Sequence, residues 1–301
     1  MAPFKFNFDL GHRTCDSRAA DAPSVPAPLR DLPPAREEFP RQPRCSVDQV
    51  QISPEVFLLK GNVTSEAASV LTDCQEIARS DLVPGVYEGG FKLWEGATDL
   101  CKYLCEEWQY GCELMDTQEE FSQPLKGKLV LELGCGHGLP GTVALLAGAE
   151  VHFQDFNSEV LHALTSVTVA ANQGTLPESS QRAKVRYFSG DFRQIPEKLI
   201  KEGLGGKYDI ILTSETLYCE DTQYPLMEAI RQCLKPSGGI AYIASKTHYF
   251  GVGGGTGRFK EMVENSGVME CKTVWKASDG VSNQREILTL TFPGGSLPGG
   301  G

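Results

Sequence analysis

The stretch Lys128-Leu-Val-Leu-Glu-Leu-Gly-Cys-Gly-His-Gly138 decides the fold of this chain. Its first six residues are almost continuously apolar, which is typical of a strand buried on both faces of a parallel sheet. Glycines at three alternate positions follow, and a helical pattern over residues 140–147 ends before Gly148. The stretch therefore predicts a buried strand that turns tightly into a helix.

The same alternation continues along the chain. Further strands are predicted over residues 56–59, 151–154, 184–188, 208–213 and 239–244, and helices over residues 158–172, 196–201, 224–234 and 256–265. A helix before the glycine stretch is predicted to begin at a Thr98/Asp99 cap. The last strands, over residues 269–275 and 286–292, predict an antiparallel edge hairpin. The chain is predicted to be an α/β protein with an open, mainly parallel sheet.

Composition divides the chain into four parts. Seven prolines and few large apolar residues lie between residues 11 and 48, which predicts a largely disordered leader over residues 1–48. We expect an N-terminal extension over residues 49–97, a core domain over residues 98–292 and a flexible tail over residues 293–301. With 41% hydrophobic residues, the chain has enough apolar side chain for one large core.

Charge and cysteine usage narrow the environment and the partners. The net charge of −11 belongs to residues 51–301, because basic and acidic residues balance before them. An acidic body is a poor general nucleic-acid binder and suits a basic protein partner. The ten cysteines contain no Cys-x-x-Cys pair, so we expect free thiols, no metal site and a cytoplasmic and nuclear location. Apolar runs are too short for a membrane helix.

The glycine loop and two acidic residues predict a nucleoside site. Alternate glycines let the backbone approach a ligand at the carboxyl ends of the strands. Asp155 ends the second strand of the regular alternation, where a carboxylate can bind both ribose hydroxyls. Asp191 follows the third, beside Phe192, where it can accept from an adenine amino group. The alternatives are a tight turn without a ligand and aspartates that cap helices or form turns.

The loop is not a dinucleotide fingerprint, because its third glycine comes one residue early. It resembles the loop of the class I, seven-strand S-adenosylmethionine-dependent methyltransferases. This resemblance implies a Rossmann-like sheet of order 3-2-1-4-5-7-6 whose last strand is antiparallel, with S-adenosyl-L-methionine as the cofactor.

Four further stretches sharpen the resemblance. They are Gly85-Val-Tyr-Glu-Gly-Gly90 with Lys92-Leu-Trp-Glu95, Val151-His-Phe-Gln-Asp-Phe-Asn157, Leu212-Thr-Ser-Glu-Thr-Leu-Tyr218, and Ala244-Ser-Lys-Thr-His-Tyr-Phe-Gly-Val-Gly-Gly-Gly255. Together they resemble the protein-histidine N-methyltransferase family over roughly residues 50–292. The resemblance implies methylation of a histidine, at its tele nitrogen, in a large-subunit ribosomal protein, with a role in ribosome biogenesis or translation. We expect a monomer.

The resemblance also assigns residues to the site. For the cofactor they are Trp94, Glu132, Gly134, Gly136, Gly138, Asp155, Asn157, Asp191, Phe192 and Ser214. For the acceptor protein they are Glu88, Tyr249 and Phe250, with the last two and the glycines that follow them forming a lid or merely a long turn. His137 departs from the small residue that is usual in the family's loop.

Three residues are candidates for catalysis. Neutral imidazole is already nucleophilic near pH 7, so no strong base is needed, and a carboxylate on the second ring nitrogen would fix the tautomer. Glu215 is the candidate for that role, the alternative being a cap of the next helix. Tyr218 would wall the acceptor site or hydrogen-bond Glu215, the alternative being ordinary packing. His248 would be a proton shuttle or a structural residue.

Two other functions remain open. The Glu-x-x-Tyr sequence of residues 215–218 resembles the Asp-x-x-Tyr of small protein-lysine methyltransferases, which makes lysine an alternative acceptor. A chain that binds the cofactor without turnover, as an assembly factor, is the third hypothesis. Cys135 is excluded as a nucleophile, because a sulfonium donor needs no covalent enzyme intermediate.

Overall fold

The computed structural model describes residues 33–41, 46–62, 87–110, 123–176, 184–249, 253–277 and 284–294. The strands are β1 Arg36–Glu38, β2 Val47–Gln51, β3 Phe57–Gly61, β4 Leu129–Leu133, β5 Glu150–Asp155, β6 Val185–Ser189, β7 Ile210–Ser214, β8 Ile240–Lys246, β9 Glu270–Ala277 and β10 Arg285–Thr291. The helices are α1 Glu95–Glu107, α2 Leu139–Leu146, α3 Ser158–Val160, α4 Ser166–Gln173, α5 Ile195–Lys201, α6 Glu220–Cys233 and α7 Thr256–Ser266.

Eight of these strands form one sheet in the order β1-β6-β5-β4-β7-β8-β10-β9. Strands β4 to β8 are parallel, and β10 pairs antiparallel with both β8 and β9. Counted from β4, the order is 3-2-1-4-5-7-6, so the predicted Rossmann-like topology and the predicted hairpin are confirmed. The additional strand is β1.

The sheet is buried on both faces because its central strands carry little but apolar side chains. In β4, Val130 lies in the core cluster of one face and Leu131 in that of the other, and both are fully buried. Helices cover each face: α1 and α2 pack on the first, and α5, α6 and α7 contribute to the second. Because β4 to β7 are parallel, their carboxyl ends lie at the same end of the sheet, and the loops that follow them form the site.

Two helices begin at other residues than predicted. Helix α1 begins at Glu95 with Trp94 as its N-cap residue, so the predicted Thr98/Asp99 cap is wrong. Asp99 lies within the helix and pairs with Arg285 of β10. Helix α6 begins at Glu220, four residues earlier than predicted, and accommodates Pro225 within its first two turns.

The helix predicted over residues 158–172 has three segments. A π-helical turn, Leu161–Thr165, lies between α3 and α4. At its end, the Thr165 hydroxyl donates a hydrogen bond of 2.7 Å to the carbonyl of Gly136 in the glycine loop. The π turn thus supports the loop from below, and π turns within helices are frequent at functional sites.

Part of the predicted leader belongs to the sheet. β1 pairs antiparallel with β6, so the prediction of disorder is wrong for Arg36–Glu38. Glu37 accepts two hydrogen bonds, of 2.7 and 2.8 Å, from Arg186. Glu38 is buried and accepts from Ser189. Residues 1–32 and 42–45 of the leader, and 295–301 of the tail, lie outside the described residues.

A two-stranded hairpin of β2 and β3 packs on α4. The Asn172 side chain accepts from the amide of Leu59 and donates to its carbonyl, at 2.9 and 2.6 Å. Because both backbone groups of Leu59 are satisfied by one side chain, the hairpin has a fixed position on the helix. Within the described ranges, no helix combines the length and apolar character needed to cross a membrane.

Candidate active site

The glycine loop after β4 depends on its three glycines. Gly134, Gly136 and Gly138 have φ values of 62°, 51° and 70°, in the left-handed region that favours glycine. A Cβ at Gly134 would lie 2.6 Å from Thr216, and one at Gly138 would lie 2.8 Å from Thr165. The loop is therefore confined between the end of β7 and the π turn, and its alternate glycines are required by space as well as by conformation.

A cleft opens above this loop at the carboxyl ends of the strands. Its empty volume is about 790 Å³, open solvent included. Eleven of the residues that the sequence singles out line it: Glu88, Trp94, Gly134, Gly136, Gly138, Asp155, Asp191, Phe192, Ser214, Glu215 and Tyr218. The structure thus brings together eight of the ten predicted cofactor residues and two of the three predicted catalytic residues.

Asp155 presents a buried carboxylate to this cleft. Its Oδ2 accepts a 2.9 Å hydrogen bond from the Gly136 amide, and its Oδ1 accepts a 3.0 Å bond from the Asn157 amide. Burial raises the pKa of Asp155 to about 6, although these two amides oppose the rise. Each oxygen retains a further lone pair, so the carboxylate can accept from a ribose diol.

Asp191 and Phe192 line the neighbouring part of the cleft. The Asp191 side chain also accepts a 2.8 Å bond from the Arg193 amide, so it forms the turn that the alternative interpretation proposed. Its second oxygen is 3.2 Å from the Arg193 guanidinium. The end of the Phe192 ring lies 3.6 Å from where a Cβ at Gly134 would be. Phe192 is therefore an apolar wall beside the glycine loop.

A lip formed by residues 88–94 closes the opposite side. The Trp94 indole N–H donates a 3.0 Å bond to the Gly89 carbonyl, and the Lys92 ammonium lies 4.6 Å from the centre of the Trp94 ring. The Glu88 amide donates to Asn157 Oδ1 at 3.2 Å. Asn157 thus anchors the lip to the sheet and does not itself line the cleft, contrary to its predicted role in contacting the cofactor.

Glu215 follows β7 in a conformation that is unusual for a glutamate. Its φ is 57°, in the left-handed region, which costs about 1 kcal/mol or more. Oε1 accepts a 3.0 Å bond from the Gly96 amide in the first turn of α1, and Oε2 accepts from the Tyr249 hydroxyl. Burial raises the pKa of Glu215, against the opposing effects of Tyr249, Lys246 and Gly96. Glu215 caps α1, and not the helix that follows it.

Tyr218 hydrogen-bonds a different carboxylate from the one predicted. Its hydroxyl donates to Glu88 Oε2 across the cleft, and it makes no described hydrogen bond to Glu215. Burial, together with the negative charge of Glu88, raises the pKa of Tyr218 well above its usual value. Tyr218 therefore remains protonated at neutral pH and joins the lip to the loop after β7.

The predicted lid is wrong for the residues that the structure describes. Tyr249 is buried and does not line the cleft; its hydroxyl is bound to Glu215 from behind. Gly254 and Gly255 donate backbone hydrogen bonds of 3.1 and 2.9 Å to the carbonyls of Tyr218 and Leu217. These residues form a fixed turn against the loop after β7. Phe250 lies outside the described residues.

Two more predicted residues are not at the cleft. Glu132 is completely buried, and its Oε2 accepts a 2.8 Å bond from the Gly141 amide, so it supports the start of α2 instead of contacting a ligand. His248 is exposed at the end of β8 and does not line the cleft, which removes the basis for a proton shuttle. Cys135 lines the cleft, but burial raises the pKa of its thiol well above the usual value, in keeping with its exclusion as a nucleophile.

The sequence analysis assigned no ligand-binding or catalytic role to several other lining residues. They are Lys92, Leu93, Ala97, His137, Leu139, Phe156, Gly190, Thr216 and Thr222. Most of them are neighbours of predicted residues, so their position along the chain was the available signal. His137 is buried, its Nδ1 makes no hydrogen bond within the described part of the chain, and burial lowers its pKa to about 4. Its imidazole is therefore neutral at pH 7.

The described residues contain no cluster of metal-ligating side chains. Among the residues that the structure describes, no three His, Cys, Asp or Glu side chains are grouped so that they could hold a metal ion. What the cleft offers is an arrangement for binding and orientation: a glycine loop, buried Asp155, and Glu215 and Glu88 on either side.

Comparison with known proteins identifies the family. A family model described as lysine methyltransferase matches residues 84–251, more than half of the chain. The chain belongs to this methyltransferase family. Family membership supports S-adenosyl-L-methionine as the cofactor, in agreement with the prediction. The match covers the lip, the glycine loop, β4 to β8 and Tyr249.

The curated relatives are named after histidine as the acceptor, whereas the family model is described as lysine methyltransferase. A histidine protein methyltransferase 1 homolog of Dictyostelium discoideum is 45% identical over 71% of this chain and 61% of its own length. The homolog of Bos taurus is 38% identical over 71% of this chain and 58% of its own length. The chain thus spans about three-fifths of these relatives. The comparisons agree on methyl transfer and differ on whether lysine or histidine is the acceptor.

A solved structure supports the fold. The structure of the T. thermophilus 16S rRNA N2 G1207 methyltransferase, in complex with AdoMet and guanosine, superposes with a TM-score of 0.50 and 16% sequence identity. The superposition covers 84% of this chain and 52% of the T. thermophilus chain. At that identity the likeness concerns the fold alone, which is the Rossmann-like methyltransferase fold derived above.

Proposed function

We propose that the chain is a protein-histidine N-methyltransferase that uses S-adenosyl-L-methionine to methylate an imidazole nitrogen, the tele nitrogen, of a large-subunit ribosomal protein. The observation that carries this proposal is the buried carboxylate of Glu215, fixed beside the cofactor cleft by Gly96 and Tyr249. The cytoplasm and nucleus, where ribosomal proteins are made and assembled, are the proposed location, and a role in ribosome biogenesis or translation follows.

The residues of the cleft fit the cofactor. Buried Asp155 matches a ribose diol, and Phe192 beside the glycine loop matches the face of an adenine. A Cβ at Gly136 would lie 3.2 Å from the Gly90 carbonyl, so loop and lip approach closely enough to enclose a ligand. When bound, the cofactor supplies a methyl group that its sulfonium has already activated.

Glu215 is suited to orient an imidazole. Each of its oxygens accepts one hydrogen bond within the chain, and each retains a lone pair for another. A carboxylate that accepts the N–H of one ring nitrogen fixes the tautomer and directs the lone pair of the other nitrogen at the methyl group. It also stabilises the positive charge that develops on the ring.

The remaining requirement is to exclude water and hold the reacting atoms in contact, at roughly 3 to 3.5 Å. The bond from Tyr218 to Glu88 ties the loop after β7 to the lip, and the Trp94 indole closes the lip on Gly89. These contacts hold the two sides of the cleft together. Glu88 is the second carboxylate that an acceptor ring meets there.

Lysine methylation is the second candidate, favoured by the description of the matching family model. A lysine ammonium, with a reference pKa near 10.4, must lose a proton before it attacks, whereas a histidine is mostly neutral at pH 7. His248 is exposed and Tyr218 has a raised pKa, so neither side chain is a ready base for an ammonium. The names of the relatives also favour histidine.

The proposed substrate rests on charge and on the resemblance. The net charge of −11 belongs to residues 51–301, which suits a basic ribosomal protein. Assembly buries much of such a protein, so we propose methylation of the free protein, before or during assembly, by a monomeric enzyme. Equal activity on the free protein and on mature subunits would contradict this order.

Mass spectrometry tests the function directly. The purified chain is incubated with S-adenosyl-L-methionine and an extract from cells that lack the enzyme, and residues that gain one methyl group are located. Methylhistidine in a large-subunit ribosomal protein is the expected product. Methyllysine would replace the proposal with the second candidate, and cofactor binding without any product would favour an assembly factor.

A further inference from the structure

Tyr249 is a buried tyrosine for which the proposed reaction has no direct use. It is 5% exposed and lies outside the cleft lining. Its hydroxyl donates to Glu215 Oε2 and is 2.8 Å from the Ser245 hydroxyl, and the Lys246 amide is 3.4 Å away. The hydroxyl thus lies in a polar network whose member nearest the cleft is Glu215.

The backbone around Tyr249 is fastened to the segment that carries Glu215 and Tyr218. The Tyr249 amide donates to the Gly254 carbonyl at 3.1 Å, and the Gly253 amide donates to the Tyr249 carbonyl at 3.2 Å. Gly254 in turn donates to the Tyr218 carbonyl. We call Tyr249 and Gly253–Gly255 the clasp.

Two glycines of the clasp, Gly254 and Gly255, are required by backbone contact. A Cβ at Gly254 would lie 2.1 Å from the Leu217 carbonyl oxygen and 2.3 Å from that of Tyr218. Main chain meets main chain here, so no side chain can give way. This contact fixes the distance between Tyr249 and the turn after β7, where Glu215 adopts its left-handed conformation.

We propose that Tyr249 is a positioning residue for methyl transfer: the clasp holds its hydroxyl against Glu215, and this bond aims the carboxylate at the acceptor ring. The inference rests on the proposed function, because it assigns Tyr249 a role that acts through Glu215. It places acceptor orientation on two supports, the Gly96 amide from α1 and the Tyr249 hydroxyl from the clasp.

Removal of the Tyr249 hydroxyl should shift the pH dependence of the reaction in a defined direction, because this hydroxyl lowers the pKa of Glu215. The groups that face Glu215 are Tyr249 and Lys246 from the β8 side, and Gly96 and Glu95 from α1. Tyr249, Lys246 and Gly96 favour the charged carboxylate, whereas Glu95 disfavours it. Without the Tyr249 hydroxyl the pKa of Glu215 rises further. The variant therefore loses the carboxylate at a higher pH than the wild type does.

The test compares Tyr249→Phe with the wild type on the unmethylated acceptor protein that the wild type methylates. We expect kcat to fall about 10- to 100-fold, as for a misdirected catalytic group, while KM for S-adenosyl-L-methionine changes by less than about twofold. The ratio of variant to wild-type kcat should fall further as the pH is lowered. Protonation of the acceptor imidazole affects both proteins alike and cancels in this ratio.

Tyr208→Phe is the matched control. Tyr208 is also a buried tyrosine whose hydroxyl is hydrogen-bonded, 2.8 Å from His152, but it lies away from the cleft. It should lower the Tm and leave kcat and its pH dependence unchanged. If Tyr249→Phe behaves in the same way, Tyr249 is merely structural and the inference is wrong.

A double variant separates the two proposals. If Tyr249 acts through Glu215, adding Tyr249→Phe to Glu215→Gln should cost less than about twofold in kcat, whereas independent roles would multiply. If the wild-type product is methyllysine, the proposed function fails. The kcat values of wild type and Tyr249→Phe are then compared for formation of methyllysine, and this comparison still decides the role of Tyr249. Absence of any turnover would overturn both proposals.

Discussion

The backbone amide of Gly96 donates a 3.0 Å hydrogen bond to Glu215 Oε1, which joins the first turn of α1 to the end of β7. The two residues are 119 positions apart in sequence. A carboxylate at the N-terminus of a helix meets free amides and the positive end of the helix dipole. The helix thus stabilises the charged form of Glu215 at the point where methyl transfer is proposed.

Gly96→Ala should disable the enzyme, because a Cβ at this position would lie 2.6 Å from Glu215 Oε1. The carboxylate would have to move, and we expect kcat to fall at least about 10-fold. The measurement is the initial rate at saturating cofactor and acceptor, together with the Tm.

Gly257→Ala is its control. Gly257 occupies the same second position of helix α7, and a Cβ there would meet nothing within 4 Å. This variant should keep full activity and gain up to about 1 kcal/mol of stability, because alanine is the better helix former. Full activity of Gly96→Ala would show that the position of Glu215 does not matter.

Asp155→Asn should weaken cofactor binding. The buried carboxylate accepts from Gly136 and Asn157 and faces the cleft. Asparagine replaces one of its two acceptor oxygens with an NH2 donor, which opposes these amides and leaves one charge-free oxygen for a ribose diol. We expect the Kd for S-adenosyl-L-methionine to rise about 10- to 100-fold, measured by calorimetry. Glu150→Gln, at the other end of β5, is the control and should bind as the wild type does.

The same residue predicts a pH dependence of binding. Burial raises the pKa of Asp155 to about 6, so the carboxylate becomes protonated as the pH falls through about 6. A protonated carboxyl is a poorer acceptor, and wild-type affinity should therefore decrease between about pH 7 and pH 5. Asp155→Asn should show no such change over this interval. A wild-type affinity that is constant over it would contradict the assignment.

Glu38→Ala tests whether strand β1 stabilises the cofactor end of the sheet. Glu38 is buried and accepts from Ser189, from Arg36 and, at 3.0 Å, from His162. Ser189 precedes Gly190, which lines the cleft. We expect a loss of about 1 to 3 kcal/mol in urea unfolding, as for a charged group removed from buried partners, and weaker cofactor binding.

Glu197→Ala provides the comparison for Glu38→Ala. Glu197 is 72% exposed and pairs with Lys201 on the surface of α5, so its replacement should change stability by less than about 0.5 kcal/mol. Equal effects of the two substitutions would mean that β1 adds nothing to the sheet.

The sequence predicted the elements whose reason is local. The apolar run ending at Leu133, the glycines after it and the repeated alternation of strand and helix predict an open, mainly parallel sheet without long-range information. The order of its strands was implied only by the resemblance to the class I methyltransferases. Asp155, Asp191 and Glu215 could be placed at the cleft for the same reason, because each follows a parallel strand and the carboxyl ends of such strands share an edge.

What the sequence could not predict depends on contacts between distant segments. β1 has three polar residues and no strand pattern; it is a strand because the edge of β6 and Arg186 are available to it. The Tyr249 hydroxyl points to Glu215 because backbone contact leaves the clasp no other position. A glycine-rich block predicts freedom of movement in isolation, and here it allows close contact instead.

Glu286→Gln should lower stability in a pH-dependent way. The Glu286 side chain is 4% exposed in β10 and accepts from Thr256 and Lys260, at 2.7 and 2.8 Å, while Lys276 is 3.0 Å from its other oxygen. Burial alone would raise the pKa of Glu286, but these three partners lower it to about 2. The charged carboxylate thus stabilises the junction of α7 with the edge hairpin, and we expect the variant to lose about 1 to 3 kcal/mol near neutral pH.

The sign of the pH effect follows from linkage. Between the unfolded value of about 4.5 and the folded value of about 2, the unfolded chain binds the proton first, so acid removes this contribution from the wild type. Glu286→Gln has no such carboxyl to protonate. The difference in unfolding free energy between the two proteins should therefore be constant above about pH 5 and narrow steadily below about pH 4.5. Urea unfolding of both proteins at a series of pH values measures it, with exposed Glu261→Gln of α7 as the control. A difference that stays constant down to about pH 3 would mean that the charge of Glu286 does not stabilise the fold. The attraction of Lys260 and Lys276 would then only offset the cost of removing the carboxylate from water.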